Sequence, residues 1–274
     1  MECIQIERDL FVFRGDAFQS IATAFLDGDR ALLVDTLATR ADAHSMGQYL
    51  SDRLKARVHA VVMTHYMSDH MGGLVLFSDA QVIAHRFHRF TYLSQRERTA
   101  EDDRNFRPPN VEVDRELALT WGRFKLTVTH NPGKTLCALV VDDKEDDLLA
   151  CGDAIVGNIA YLSSSAPELI DAALVRLQKF GRSRIIPGHM GIHPFAALAN
   201  ARLYLSRLRD AVQARGDSME AIRSIDIREC LADGVTATAF EQEWHGRNLD
   251  LIVARQPFRI SHENAGNESL VPRN

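Results

Sequence analysis

The chain has 274 residues, enough for one large domain or a core with an appendage, since domains usually run to about 100–200 residues. Hydrophobic residues make up 46% and charged residues 25%, an ordinary soluble composition that excludes a disordered chain. A net charge of -5 and an isoelectric point near 6.1 leave no basic footprint for phosphates, so nucleic acid is excluded as the expected partner and a small-molecule substrate is favoured.

No apolar run approaches the roughly 18 residues that span a bilayer, so no membrane partner is expected. The opening MECIQIERDL lacks the basic and apolar regions of a signal peptide, which makes a cytoplasmic location the expectation. Cys3, Cys137, Cys151 and Cys230 show no paired spacing and read as small, reduced core residues.

In chain order, CIQIE, LFVFR, SIATAFL and ALLVDT are apolar or alternating runs separated by polar turns, and predict a hairpin-rich sheet over residues 2–35. A helix is predicted at about 39–55, followed by the β-branched run VHAVVMT at 58–64, a buried strand that stops before His65. Residues 85–109 (HRFHRFTYLSQRERTAEDDRNFRPP) interrupt the rhythm with a charged, partly aromatic segment closed by a Pro-Pro pair, and read as a lid-like insertion. A second cycle follows: the strands FKLTVTH, LCALVV and LLACGD, a helix near 167–180, a short RII strand, then Pro187-Gly188-His189. From about 196 to 258 apolar residues recur at helical spacing, predicting a C-terminal helical appendage after a 1–195 core. The polar tail, 259–274, is expected to be disordered, and its Leu270-Val271-Pro272-Arg273 resembles a thrombin recognition sequence. Strands grouped in meanders with interspersed helices imply two packed sheets with helices outside, an α/β (α+β) arrangement.

The strongest chemical signal is Thr64-His65-Tyr66-Met67-Ser68-Asp69-His70-Met71-Gly72-Gly73, between a predicted strand and a predicted helix. It resembles the THxHxDHxGG loop of the metallo-β-lactamase superfamily, in its glyoxalase II-like hydrolase branch. Three further segments fall in that family's order. Asn131-Pro132-Gly133-Lys134-Thr135 resembles its TPGHT turn, Cys151-Gly152-Asp153 its GD strand end, and Ile186-Pro187-Gly188-His189 its PGH turn. The resemblance covers about residues 5–195 and implies an αββα sandwich; Trp244-His245-Gly246-Arg247-Asn248 also looks like a helix of glyoxalase-like hydrolases.

In the family's two-metal form, carried over by position, one ion would keep Asp69, His70, Asp153 and His189. The other would keep only His65 and Asp153, because Met67 and Lys134 stand where the family has imidazoles. A thioether is a soft donor and a protonated lysine has no lone pair, so the resemblance implies one divalent metal, Zn²⁺ or Fe²⁺, with Mn²⁺ also compatible. An ammonium at Lys134 restores about the +1 charge lost with an ion and its bridging hydroxide. Such a cation would help hold an anionic substrate or a developing oxyanion.

His65, released from ligation, is the candidate general base or acid, with Lys134 and Asp69 as the other catalytic candidates. Purely structural roles for His65 and Lys134 compete with this reading. Tyr161 and Met67 are the candidate substrate contacts, against simple packing for each. His85, Arg86, His88 and Arg89 are candidates for an anion-recognising lid, with a solvated helix face as the alternative. His130 and His193 flank two of the turns and are weaker candidate ligands. The expected function is hydrolysis of a small ester, thioester or lactone-like substrate by a metal-bound water. The alternatives are a lyase, isomerase or non-haem iron oxygenase, or a degenerate ligand-binding member. A homodimer is compatible with the sequence but is not read from it.

Overall fold

The computed structural model describes residues 1–95, 98–163 and 165–258, so the tail expected to be disordered lies outside the described residues. The first half supplies β1 (Glu2–Glu7), β2 (Leu10–Arg14), β3 (Ile21–Asp27), β4 (Arg30–Val34), α1 (Arg40–Asp52), β5 (Arg57–Val62), α2 (Ser68–Met71), β6 (Gln81–His85), α3 (His88–Leu93), α4 (Ala100–Asn105) and β7 (Val111–Val113). The second half supplies β8 (Glu116–Trp121), β9 (Phe124–His130), β10 (Leu139–Asp143), β11 (Leu148–Gly152), α5 (Pro167–Gln178), β12 (Arg184–Pro187), β13 (His193–Pro194), α6 (Ala196–Arg215), α7 (Met219–Arg223), α8 (Ile227–Cys230) and α9 (Ala239–Arg255).

These strands form a seven-stranded sheet ordered β1 to β7 and a six-stranded sheet ordered β13-β12-β11-β10-β9-β8. The expected αββα sandwich is what forms. Leu10, Val12, Phe25, Leu32 and Val62 of the first sheet face Phe124, Leu126, Val128, Val141 and Ile186 of the second in one buried layer. The alternate residues Phe11, Phe13, Ala24 and Leu33 turn outward and pack with Met46 and Leu50 of α1, as period-two strands require. Leu149 and Ile185 do the same on the second sheet, sharing one core with α5, α6 and α9 through Leu174, Tyr204 and Trp244. The helices after residue 195 are therefore the outer layer of the second sheet.

The 85–109 segment is the crossover between the parallel strands β6 and β7. His85 and His88 are buried within it while Arg86 and Arg89 are exposed, so the two imidazoles do not line a solvent-facing lid. His88 stacks near Phe106, which in turn stacks on Tyr92, and the apolar cost of leaving these rings in water explains the inward turn. None of the helices among the described residues is long and apolar enough to cross a membrane.

The two sheets are stitched at one end by backbone bonds, Leu139 N–H to Thr64 O at 2.7 Å and Ile21 N–H to Gly188 O at 2.8 Å. At this end β4, β5, β11 and β12 all stop, and their last residues converge. The approach is close enough to demand glycine. Gly152 sits at φ +52°, and a Cβ there would come 2.7 Å from Thr64 Oγ1. A Cβ on Gly188 would lie 2.1 Å from Asp153 Oδ1 and 2.4 Å from His70 Cε1. Gly188→Ala should therefore cost about 1–3 kcal/mol through overpacking, read as a lowered urea midpoint with an unchanged slope.

Candidate metal centre

The chemistry-bearing residues come from chain segments that follow these strand ends. Asp35 follows β4, His65 follows β5, Asp69 and His70 lie on the single turn α2, Asp153 follows β11 and His189 follows β12. Lys134 arrives from the turn between β9 and β10. Burial of the side chains is nearly complete: 0% of His70 and of His189 is exposed, 2% of Asp153 and 5% of Lys134, whereas Asp69 at 15% marks the open side.

The two oxygens of Asp153 face different neighbours. Oδ1 lies 3.0 Å from His70 Nε2 and 3.2 Å from His189 Nε2. Oδ2 accepts from the Lys134 ammonium and lies 3.5 Å from His65 Nε2. Asp69 closes the first group, its oxygens 3.4 Å from His189 Nε2 and 3.8 Å from His70 Nε2.

The first group fits a divalent cation. Asp69, His70, Asp153 and His189 each present a donor atom, and these atoms all lie within 4.8 Å of one another. Tetrahedral bonds of about 2.0 Å would separate ligand atoms by about 3.3 Å, close to the spacings just given. Asp69 Oδ1, His70 Nε2, Asp153 Oδ1 and His189 Nε2 are buried and lack hydrogen-bond partners among the described residues. Both rings also have the tautomer ligation needs. His70 Nδ1–H donates to Asp35 Oδ2 at 3.1 Å and His189 Nδ1–H to Phe18 O at 2.8 Å, so Nε2 of each ring is the atom facing the centre and is available as a ligand once deprotonated.

Asp35 is the residue the sequence reading missed. It takes φ +61°, a left-handed conformation that aspartate tolerates better than most residues. Its carboxylate accepts from Thr64 N–H at 2.8 Å, Thr64 Oγ1–H at 2.6 Å and His70 Nδ1–H. Because the Thr64 hydroxyl donates to Asp35, it accepts from His65 Nδ1–H at 2.9 Å, which leaves the His65 Nε2 lone pair turned towards Asp153 and Lys134. Asp35, His65 and His70 also lie within metal-binding reach of one another. The hydrogen bonds already occupying the Asp35 oxygens make it a support for the loop and not a ligand. Its one sequence signal was the acid ending the ALLVDT strand.

Electrostatics follow the same division. Burial dominates at His65 and holds its imidazole below the usual value, assisted by the neighbouring His70. Burial also pulls on Lys134, but the Asp153 and Asp69 carboxylates outweigh it and raise the ammonium above its ordinary range. Burial opposes ionisation of Asp153 most strongly, yet Lys134, His70 and His189 together hold it well below a normal carboxylate. For His189 the desolvation penalty is overcome by Asp153 and Asp69, and its value rises to about 9. The carboxylates thus hold protons on His70 and His189 that a bound cation would displace.

Of the other candidates, Tyr161 sits with its ring 5.1 Å from Lys134 Nζ. Met67 is half-buried at the start of α2. His130 Nε2–H donates to Leu136 O of its own turn and the ring stacks on His85, with ring centroids 3.8 Å apart. Neither His130 nor His193 joins a donor cluster among the described residues.

Four N and O donors thus converge at strand ends between the two sheets as a candidate divalent-metal site. Residues 15–189 match the metallo-beta-lactamase superfamily, and the chain belongs to it. Among curated proteins it is 27% identical to the chicken (Gallus gallus) acyl-coenzyme A thioesterase MBLAC2, over 60% of this chain and 67% of that protein. Among solved structures it resembles a metallo-beta-lactamase from Pontibacter korlensis, with a TM-score of 0.61 at 18% identity, covering 72% of this chain and 95% of that one. It also resembles the stereoselective inverting sec-alkylsulfatase Pisa1 from a Pseudomonas species, with a TM-score of 0.66 at 15% identity, covering 99% of this chain and 52% of that one.

If Asp35 orients His70 and the Thr64–His65 pair, Asp35→Ala should weaken metal retention about 10- to 100-fold. Chelator competition measures this, and a circular dichroism spectrum matching wild type separates it from unfolding.

Proposed function

We propose that the protein is a single-metal hydrolase of a small ester, thioester or lactone-like substrate, with Lys134 as a fixed cation in place of a second ion. One observation carries the reading: the Asp153 carboxylate turns one oxygen to an intact donor set and the other to an ammonium. Asp69, His70, Asp153 and His189 would hold the cation, Zn²⁺ or Fe²⁺, with Mn²⁺ also compatible. When bound it supplies Lewis acidity towards water or a substrate carbonyl.

The remaining roles belong to the chain. His65, neutral and with Nε2 free, accepts the proton of the attacking water as the new C–O bond forms. The Lys134 ammonium faces the negative charge that develops on the carbonyl oxygen. As the acyl C–O or C–S bond breaks, His65 returns the proton to the departing alkoxide or thiolate. The thioesterase relative supports thioesters within this class. A decayed, non-catalytic site fits less well, since every donor of one position is present and its tautomers are set by hydrogen bonds.

Protein purified without chelator should contain about one transition metal per chain by elemental analysis; two tightly bound equivalents would refute the single-site reading. Lys134→Met and His65→Ala should keep that metal and lose about 100-fold or more in kcat, while His189→Ala should lose the metal as well. Wild-type turnover in Lys134→Met would remove its electrostatic role. The pair Met67→His with Lys134→His restores the family's imidazoles, and should raise the stoichiometry towards two where either single change does not.

A further inference from the structure

We propose that Phe240, Trp244 and Tyr161 form a specificity wall that receives the apolar acyl group of the substrate. The proposal rests on the ester or thioester hydrolysis inferred above and assigns the part of the substrate that α9 recognises.

The wall runs from a candidate ligand to the fixed cation. The Phe240 and Trp244 rings lie 5.8 and 5.7 Å from the ring of His189. Tyr161 meets Trp244 edge-on at 4.5 Å and in turn lies 5.1 Å from Lys134 Nζ. Phe240 and Tyr161 are half-buried and offer ring surface, whereas Trp244 is 5% exposed and backs them. On the far side Arg247 stacks on Trp244 at 4.4 Å and is paired with Glu243 at 2.6 Å.

This arc is held rigidly. The fully buried Glu241 accepts from Asn158 N–H at 2.7 Å and from Thr238 N–H at 2.7 Å, fixing the start of α9 to the loop after Asp153. About two turns later Asn248 accepts from Leu162 N–H and donates to Ala160 O, both at 2.9 Å, so Tyr161 is clamped from both sides. Fastenings of this kind hold a recognition surface in register with a reacting centre. The Trp244 indole Nε1–H is buried without an acceptor among the described residues, so Trp244 acts as the backing of the wall and does not contact the substrate. A flat aromatic surface suits an alkyl or aryl acyl group and offers little to a charged or polyhydroxylated one.

The zinc-loaded full chain is titrated calorimetrically with product-like carboxylates: acetate, butyrate, hexanoate and octanoate. Affinity should rise about fourfold per methylene, and Phe240→Ala or Tyr161→Ala should flatten that slope while metal content stays at wild type. In a Trp121→Phe background, Trp244 is the remaining tryptophan, and its fluorescence should respond to hexanoate and octanoate more than to acetate. Trp244→Phe should lower the kcat/KM preference for p-nitrophenyl hexanoate over the acetate about tenfold. Chain-length-independent binding in the wild type, or a slope unchanged in both alanine variants, would overturn the wall. A wild type that binds carboxylates with the expected slope but hydrolyses no ester or thioester would instead overturn the hydrolase reading and leave the wall standing.

Discussion

A carboxylate withdrawn from water has to be neutralised where it lies, and Asp153, 2% exposed, sits where the strand ends of both sheets meet. Its compensation comes from four places in the chain: His65 after β5, His70 on α2, Lys134 before β10 and His189 after β12. No single segment could supply these partners. The cross-sheet bonds Leu139–Thr64 and Ile21–Gly188, with the glycines at 152 and 188, bring the backbones near enough for short side chains to converge. The sandwich therefore serves as a frame that makes one buried charge tolerable, and that charge organises the centre.

Lysine at 134 changes what the frame can do. A divalent ion with a bridging hydroxide carries about the same net charge as an ammonium, so the field at Asp153 Oδ2 is kept. The ammonium, raised above its usual range, holds its proton and has no lone pair for an ion or an open position for water. In the proposed single-metal mechanism, deprotonation of the nucleophile then falls to another group. His65 suits that task because the Asp35–Thr64 relay fixes its Nδ1–H and burial keeps the ring neutral. In that proposal, loss of two imidazoles and gain of a free base are linked consequences of the same positions.

Local patterns made much of this legible in the sequence. The first four strands, the 58–64 strand and the four turns were readable because each is an apolar run ending in a chemically distinctive residue. Asp35 was not, because its importance depends on a left-handed backbone and on Thr64 and His70, which are 29 and 35 residues away. In HRFHRF the charged residues suggested a solvent-facing lid. The imidazoles at 85 and 88 instead turn inward at three-residue spacing, with the arginines outward, and only the aromatic neighbours Phe87, Tyr92 and Phe106 hinted at it. The C-terminal helices showed an apolar stripe without revealing its partner, since Asn248 reaches Leu162 across 86 residues.

Chemistry and recognition end up on separately anchored elements. The donor atoms depend on backbone packing between strand ends, where a single added Cβ at Gly188 would collide with Asp153 Oδ1 and with the His70 ring. The aromatic wall depends on helix α9, fastened through the side chains of Glu241 and Asn248 and lying beyond the 15–189 span that carries the superfamily match. Phe240 lies 5.8 Å from the His189 ring and Tyr161 5.1 Å from Lys134 Nζ, so their shape can change without shifting a ligand atom. Tight constraint on the strand ends and latitude on α9 is the arrangement that lets one buried carboxylate site serve different acyl groups by altering the helix that covers it.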